Sequence, residues 1–415
     1  MEASKWVTLL IFVCCYALAI SRKTRLSPIS LSSALLLLSL GILNPGEAFE
    51  SIRWSVLALY WGFLLLSLSF SESGLPSLLA HRFLKASRSE GRALFLLCGL
   101  TALLSAFLEN VGVVLMMAPI ALELARKTRT SPFLPLVSVA LSSNMVTTVS
   151  MIADPPSIIL ASETGMHFTD FYWFKGKPGL GTLSVIGVIT GLLTHYFLHL
   201  KKRKNRVEVK EERMEVDYSP FLLFLAGILL LCLEPYLKIG PGAVGLGVGL
   251  GSLLLCRRKA GKLLREFDWD SLLFLLGIFV VIRATEKVGL LEDLAGGLEG
   301  LKLGSPSILF LLTYLSMGLS SFMDNVPLTI LMLPICRDLG SLLGVSPLPL
   351  MYGVLIGTGI GGNITPVGAA ANLFACRILE KKGHRVKLKE YLKLSLPLSL
   401  VSVSVSLLLL QFFWM

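Results

Sequence analysis

The chain alternates long apolar stretches with short polar runs. Several stretches are about the width of a bilayer's hydrocarbon core. The pattern predicts ten spans: 5–20, 28–43, 54–71, 132–165, 179–200, 218–236, 241–256, 268–283, 347–378 and 391–413. Two more apolar stretches, 93–125 and 305–337, predict re-entrant hairpins. The first has basic residues at both ends, Arg88 and Arg92 before it and Arg126, Lys127 and Arg129 after it. At about 1.5 Å per helical residue, some thirty residues suffice to enter and return. Shorter segments at 75–84 and 290–303 predict helices lying along the membrane faces.

The pattern occurs twice, 215 residues apart. LSAFLENVGVVLMMAPI (104–120) aligns without a gap on LSSFMDNVPLTILMLPI (319–335). Trp54 falls on Trp269, Gly62 on Gly277, Asn110 on Asn325, Ser150 on Thr365 and Ser157 on Asn372. A first repeat at 1–206, a linker at 207–217 and a second repeat at 218–415 follow. Each repeat has five spans and one hairpin, so odd parity inverts the second. The expected fold is an all-α polytopic membrane protein of two inverted five-span repeats, each with a re-entrant hairpin and a broken transmembrane helix.

Composition agrees with a membrane protein. Hydrophobic residues make up 54% of the chain and charged residues 16%, with mean hydropathy +0.75. The net charge of +11 reflects topology, and no nucleic-acid partner is expected. If the Arg22-Lys23-Arg25 end is cytoplasmic, the other loops follow. The inside then holds all but nine of the 38 Lys and Arg residues, as the positive-inside rule requires. Both termini face outward in this scheme, across a cell membrane. The first span is not expected to be a signal peptide, because its basic cluster follows it. The seven cysteines form no CxxC pair and are expected as small buried hydrophobes. His195 and His199 have metal-compatible spacing, yet they sit beside a basic cluster and suggest a snorkelling interfacial pair.

Candidate chemistry lies at the hairpin tips and in two irregular stretches. The tips carry Glu109-Asn110 and Asp324-Asn325, the second followed by Thr329. Acids at membrane depth are costly unless they serve a site. The alternative is a satisfied tip in which the amide caps the returning helix. The irregular stretches are NMVTTVSMIADPPS (144–157) and GGNITPVGAAAN (361–372). Prolines and glycines, Gly368 among them, break both helices. Irregular backbone at this depth lines a cavity or is buried in protein. Ser150, Asp154, Ser157, Asn363, Thr365 and Asn372 supply oxygen there. Asp154 either binds an ion or caps the second half-helix.

These motifs resemble those of the ion transporter superfamily, in particular its ArsB/NhaD branch with the citrate-transporter-like domain. IADPPSIILAS is similar to that family's GDPPN motif, GGNITPVGAAANLFA to its GGNxTxxGxxAN motif, and DWDSLLFLLGIF to its DWxxLLFxxG span. The resemblance implies a dimeric scaffold, a transport domain that moves like an elevator, and ion sites at the tips and breaks. Those sites carry over to Glu109, Asn110, Asp324 and Asn325 and to the stretches around Ser150 and Thr365. Asn110, Asn325 and Thr365 become candidate Na⁺ ligands. Ala153 and Ser157 depart from the pattern, so the first half keeps fewer oxygen ligands. The expected function is secondary active transport of a small cation, or of a neutral or oxyanion solute, coupled to H⁺ or Na⁺. Na⁺/H⁺ antiport is favoured. Efflux of arsenite or antimonite and an ion channel remain alternatives. An enzyme is not expected, nor any cofactor beyond the coupling ion. The expected partners are lipid, a small solute and a second copy.

Overall fold

The computed structural model describes residues 2–21, 24–87, 89–206 and 215–415. Arg22 and Lys23 of the first basic cluster, Arg88 beside the first hairpin, and 207–214 of the linker lie outside the described residues.

The first half runs α1 (Glu2–Ser21), α2 (Leu26–Ser39), α3 (Pro45–Ser51), α4 (Trp54–Ser71), α5 (Leu75–Lys85), α6 (Glu90–Ser105), α7 (Asn110–Thr128), α8 (Phe133–Asn144), α9 (Pro155–Thr164) and α10 (Leu180–His195). A two-stranded ladder, β1 (Trp173–Phe174) and β2 (Lys177–Pro178), precedes α10. The second half runs α11 (Ser219–Leu237), α12 (Pro241–Leu255), α13 (Ala260–Glu266), α14 (Trp269–Lys287), α15 (Leu290–Glu299), α16 (Ser305–Ser320), α17 (Asn325–Leu343), α18 (Leu348–Gly361), α19 (Ala370–Lys381) and α20 (Leu388–Trp414). From α2/α12 to α9/α19, all eight pairs start at positions 215 residues apart. The sequence repeat is therefore a repeat of helices. Even the left-handed glycines before α5 and α15 correspond, Gly74 at φ 74° and Gly289 at φ 76°. A Cβ there would be strained.

Among the described residues, six helices are long and apolar enough to cross a membrane: α1, α4, α10 with its extension to Leu200, α11, α17 and α20. Five shorter apolar helices, α2, α8, α12, α16 and α18, accompany them. The stretch 132–165 divides into α8 and α9, and 347–378 into α18 and α19. The irregular joins carry the Pro and Gly residues that make helix unfavourable there.

The halves interlock. α4 packs against α12 and α14 against α2, so each repeat buries its spans on the other. A Cβ on Gly62 would lie 1.8 Å from the Gly245 carbonyl oxygen. At the matching contact, a Cβ on Gly277 would lie 2.6 Å from Ser30 Oγ. Small residues allow this close approach, which supplies the van der Waals contact that holds helices together in lipid. α10 packs along α20 in the same manner, with Gly187 against Ser406 and Gly191 against Ser402.

Candidate functional site

Both predicted hairpins turn where the acid-amide pairs stand. α6 ends at Ser105 and α7 begins at Asn110, while α16 ends at Ser320 and α17 begins at Asn325. The acids, not the amides, cap the returning helices. Glu109 Oε1 accepts from the Val111 N–H at 2.9 Å, and Oε2 from the Gly112 N–H at 2.7 Å. Asp324 Oδ1 accepts from the Val326 N–H at 3.2 Å. A carboxylate at a helix N-terminus meets orphan donors and the positive end of the helix dipole.

The breaks fasten these tips. Ser150 Oγ donates to the Ala106 carbonyl, and Thr365 Oγ1 donates to the Ser321 carbonyl. These are one bond repeated at the 215-residue offset. So are Ser157 Oγ to the Thr147 carbonyl (2.8 Å) and Asn372 Nδ2 to the Gly362 carbonyl (2.9 Å). Gly368 packs against the Gly362 backbone, where an added Cβ would lie 2.4 Å from the Gly362 oxygen. Thr329 Oγ1 is 3.5 Å from Thr358 Oγ1 and is buried.

Between the halves, Asn144 acts as a clamp. Its Nδ2 donates to Asn363 Oδ1 at 3.1 Å and to Asn372 Oδ1 at 2.9 Å. Asn363 Nδ2 returns a bond to the Leu141 carbonyl at 2.9 Å. Asn325 Nδ2 reaches Asp154 Oδ2 at 3.3 Å. Asp154 precedes α9 but makes no side-chain cap bond, so its carboxylate faces the second tip and not its own helix.

A cavity of about 100 Å³ lies among these elements. Glu109, Asp154, Asp268 and Asp324 line it, together with Asn110, Asn144, Asn325, Ser271 and Tyr60. Among the described residues, no Lys, Arg or His lines it. Asp268 is exposed at the mouth, and the other three carboxylates are half-buried. Its volume suits a few waters or one small ion. The carboxylates do not close around one point. Among the described residues, no cluster of three or more His, Cys, Asp or Glu could hold a metal ion.

Of the predicted residues, Glu109, Asn110, Asp154, Asp324 and Asn325 line the cavity. Ser150, Ser157, Thr329, Asn363, Thr365, Gly368 and Asn372 do not, and their bonds and contacts hold tips, breaks and neighbouring helices together. Asn110 Oδ1 is buried without a partner among the described residues. Asn325 Oδ1 accepts from Ser320 Oγ at 2.9 Å. The vacant oxygen therefore belongs to the first tip, which the sequence makes the poorer one. Sequence reasoning missed Asn144 and Asp268. Asp268 opens the DWDSLLF motif, which was the available signal. The second acid of that motif, Asp270, instead accepts from Leu26 N–H and Ser27 at the start of α2. His195 does not snorkel. It is buried and pairs its Nε2 with Ser138 Oγ at 2.8 Å.

A family model described as a citrate transporter matches residues 16–344 and 304–415. An uncharacterized transporter of Mycobacterium tuberculosis is 28% identical over 96% of both chains. One of Synechocystis is 26% identical over 95% of this chain and 94% of its own. The human P protein is 25% identical over 86% of this chain and 53% of its own. The crystal structure of the YdaH transporter of Alcanivorax borkumensis superposes with a TM-score of 0.62 at 16% identity, covering 98% of this chain and 97% of that one. That likeness supports the same fold. With its apolar helices, paired hairpins and matching motifs, the chain is an integral membrane transporter that belongs to the citrate transporter family.

Proposed function

We propose that the chain is a secondary active transporter that exchanges Na⁺ for H⁺ at the carboxylate cavity. One observation carries this reading: four carboxylates line one small cavity that, among the described residues, no cationic side chain lines. Such a field attracts a cation and repels citrate, whose three negative charges would find no fixed counter-ion. A carboxylate that releases Na⁺ into this desolvated setting takes up a proton readily, which couples the two ions. Arsenite efflux lacks support from thiols, because none of the seven cysteines lines the cavity.

In this scheme residues 1–206 and 218–415 are inverted repeats. The hairpins and broken helices (α6–α9 and α16–α19) form the moving module. The remaining long helices form a scaffold that pairs with a second copy. Both termini face outward and the basic loops face the cytoplasm. The repeated helix order and the crossed packing of α4 on α12 and α14 on α2 support this division.

The test is Na⁺-driven proton movement in proteoliposomes containing a pH-sensitive dye. Adding Na⁺ outside should alkalinise the lumen when Na⁺ enters and H⁺ leaves. Asp324→Asn should abolish the signal while the protein remains folded. Citrate uptake with no proton response to Na⁺ would overturn the reading.

A further inference from the structure

A second cavity of about 480 Å³ lies at the far end of α14 from Asp268. The nineteen residues of α14 span about 28 Å at 1.5 Å per residue, so the two cavities open toward opposite membrane faces. This one is crossed by a chain of ion pairs. Arg53, at the start of α4, pairs with Glu163 on α9. Glu163 Oε1 meets Arg337 Nη1 on α17 at 3.1 Å. Arg337 Nη2 meets Glu286 Oε1 on α14 at 3.1 Å. The Glu163 side chain is only 9% exposed, which makes its two pairs stronger than fully solvated ones.

The order of the chain matters. Glu163 and Arg337 belong to the proposed moving module, whereas Arg53 and Glu286 belong to the proposed scaffold. The outer two pairs therefore cross between modules, and the middle one does not. The repeat offers no counterpart at the other face. The positions 215 residues away are Asp268 for Arg53, Ile378 for Glu163, Leu122 for Arg337 and Ser71 for Glu286. Where one face has Arg53 in an ion pair, the other has Asp268 exposed at the mouth of the carboxylate cavity.

We infer that Arg53, Glu163, Arg337 and Glu286 form a one-sided electrostatic gate. It holds the moving module on the scaffold at this face while the carboxylate cavity is open at the Asp268 face. It therefore biases the resting population toward that state, and transport requires the two crossing pairs to part. Charge alone sets the bias, because the hydrophobic frame of the two halves repeats. The inference rests on the module division proposed above.

Ile330 on α17 lines the gate cavity and is 4% exposed. In Ile330→Cys protein purified in detergent, the maleimide labelling rate of residue 330 reports gate opening, followed by peptide mass spectrometry. Adding Glu163→Gln or Glu286→Gln should each raise the rate on the order of fivefold, the population shift expected from losing one partly shielded pair. Asp338→Asn breaks a pair within α17, Arg337 Nε to Asp338 at 3.3 Å, and should leave the rate unchanged. With the gate intact, choline chloride at high concentration should also speed labelling relative to a free-cysteine peptide, because it screens charge without supplying a small cation. Unchanged rates in both gate variants and in high salt would overturn the gate, as would an equal rise in Asp338→Asn. Labelling does not depend on flux, so failure of Na⁺/H⁺ exchange would defeat the functional reading and leave this result standing.

Discussion

Replacing Asn144 should loosen the joint between the two broken helices. The side chain is buried and donates both of its N–H bonds across the repeat boundary, at 3.1 Å to Asn363 and 2.9 Å to Asn372. In Asn144→Ala both acceptors lose this donor, while Asn363 and Asn372 keep their own donor bonds to backbone carbonyls. Interhelical side-chain bonds in membrane proteins average about 0.6 kcal/mol each, which gives a floor near 1 kcal/mol for two. Leaving both acceptors buried and dry costs about 1–3 kcal/mol each, which sets the ceiling when water cannot enter. A loss of about 2 kcal/mol is expected. Asn144→Asp should cost more, since an ionised acid only accepts and would face two acceptors. Equilibrium unfolding in mixed micelles measures both. A double-mutant cycle with Asn372→Ala should show coupling above about 0.5 kcal/mol. Strict additivity, or a loss below about 0.5 kcal/mol in Asn144→Ala, would refute the clamp.

Other outcomes follow from the same geometry. Gly62→Ala should cost at least about 2 kcal/mol or prevent folding, because its Cβ would stand 1.8 Å from the Gly245 oxygen; a normal melting temperature in detergent would contradict the packing of α4 on α12. Glu109→Gln should retain part of the Na⁺-driven proton flux that Asp324→Asn loses, and equal residual flux at equal expression would reject unequal roles for the tips. Outside the spans, Lys262 and Lys259 hold the Glu72 carboxylate below its ordinary value of 4.5. A lowered folded pKa contributes stability above the ordinary value and loses it as pH falls through the folded one. Glu72→Gln should therefore melt slightly lower than wild type at pH 7, with the deficit disappearing below pH 4.5; a deficit that persists in acid would assign it to packing.

The helices were legible because their cause is local. Apolar length, the 215-residue repeat and the Pro and Gly breaks place α4, α7, α14 and α17 and divide 132–165 and 347–378. The short α3 was also written in the chain, as a capping box in which Asn44 and Glu47 bond each other's backbone, but it hides among longer apolar runs. The site was only partly legible. An acid and an amide at each tip mark membrane-depth chemistry, yet which of them caps the helix depends on a turn of four residues. Ser150, Ser157, Asn363, Thr365 and Asn372 carry the right atoms, but their hydrogens go to backbone carbonyls up to 222 residues distant. Asn144 resembles any polar residue at a helix end until α8 and α19 meet. The gate was invisible because its four charges come from four separate helices and have no repeat counterpart.

The central claim is coupled exchange through the carboxylate cavity, and a reversal experiment tests it most directly. Proteoliposomes are loaded with fixed Na⁺ and pH, and the outer pH is varied at several imposed Na⁺ gradients. The account predicts that net proton flux reverses at an outer pH that shifts in proportion to the logarithm of the Na⁺ ratio, and that Asp154→Asn with Asp324→Asn abolishes flux in both directions. A reversal point that stays at equal pH whatever the Na⁺ gradient would mean that the two ions move independently, and the exchange mechanism would be wrong.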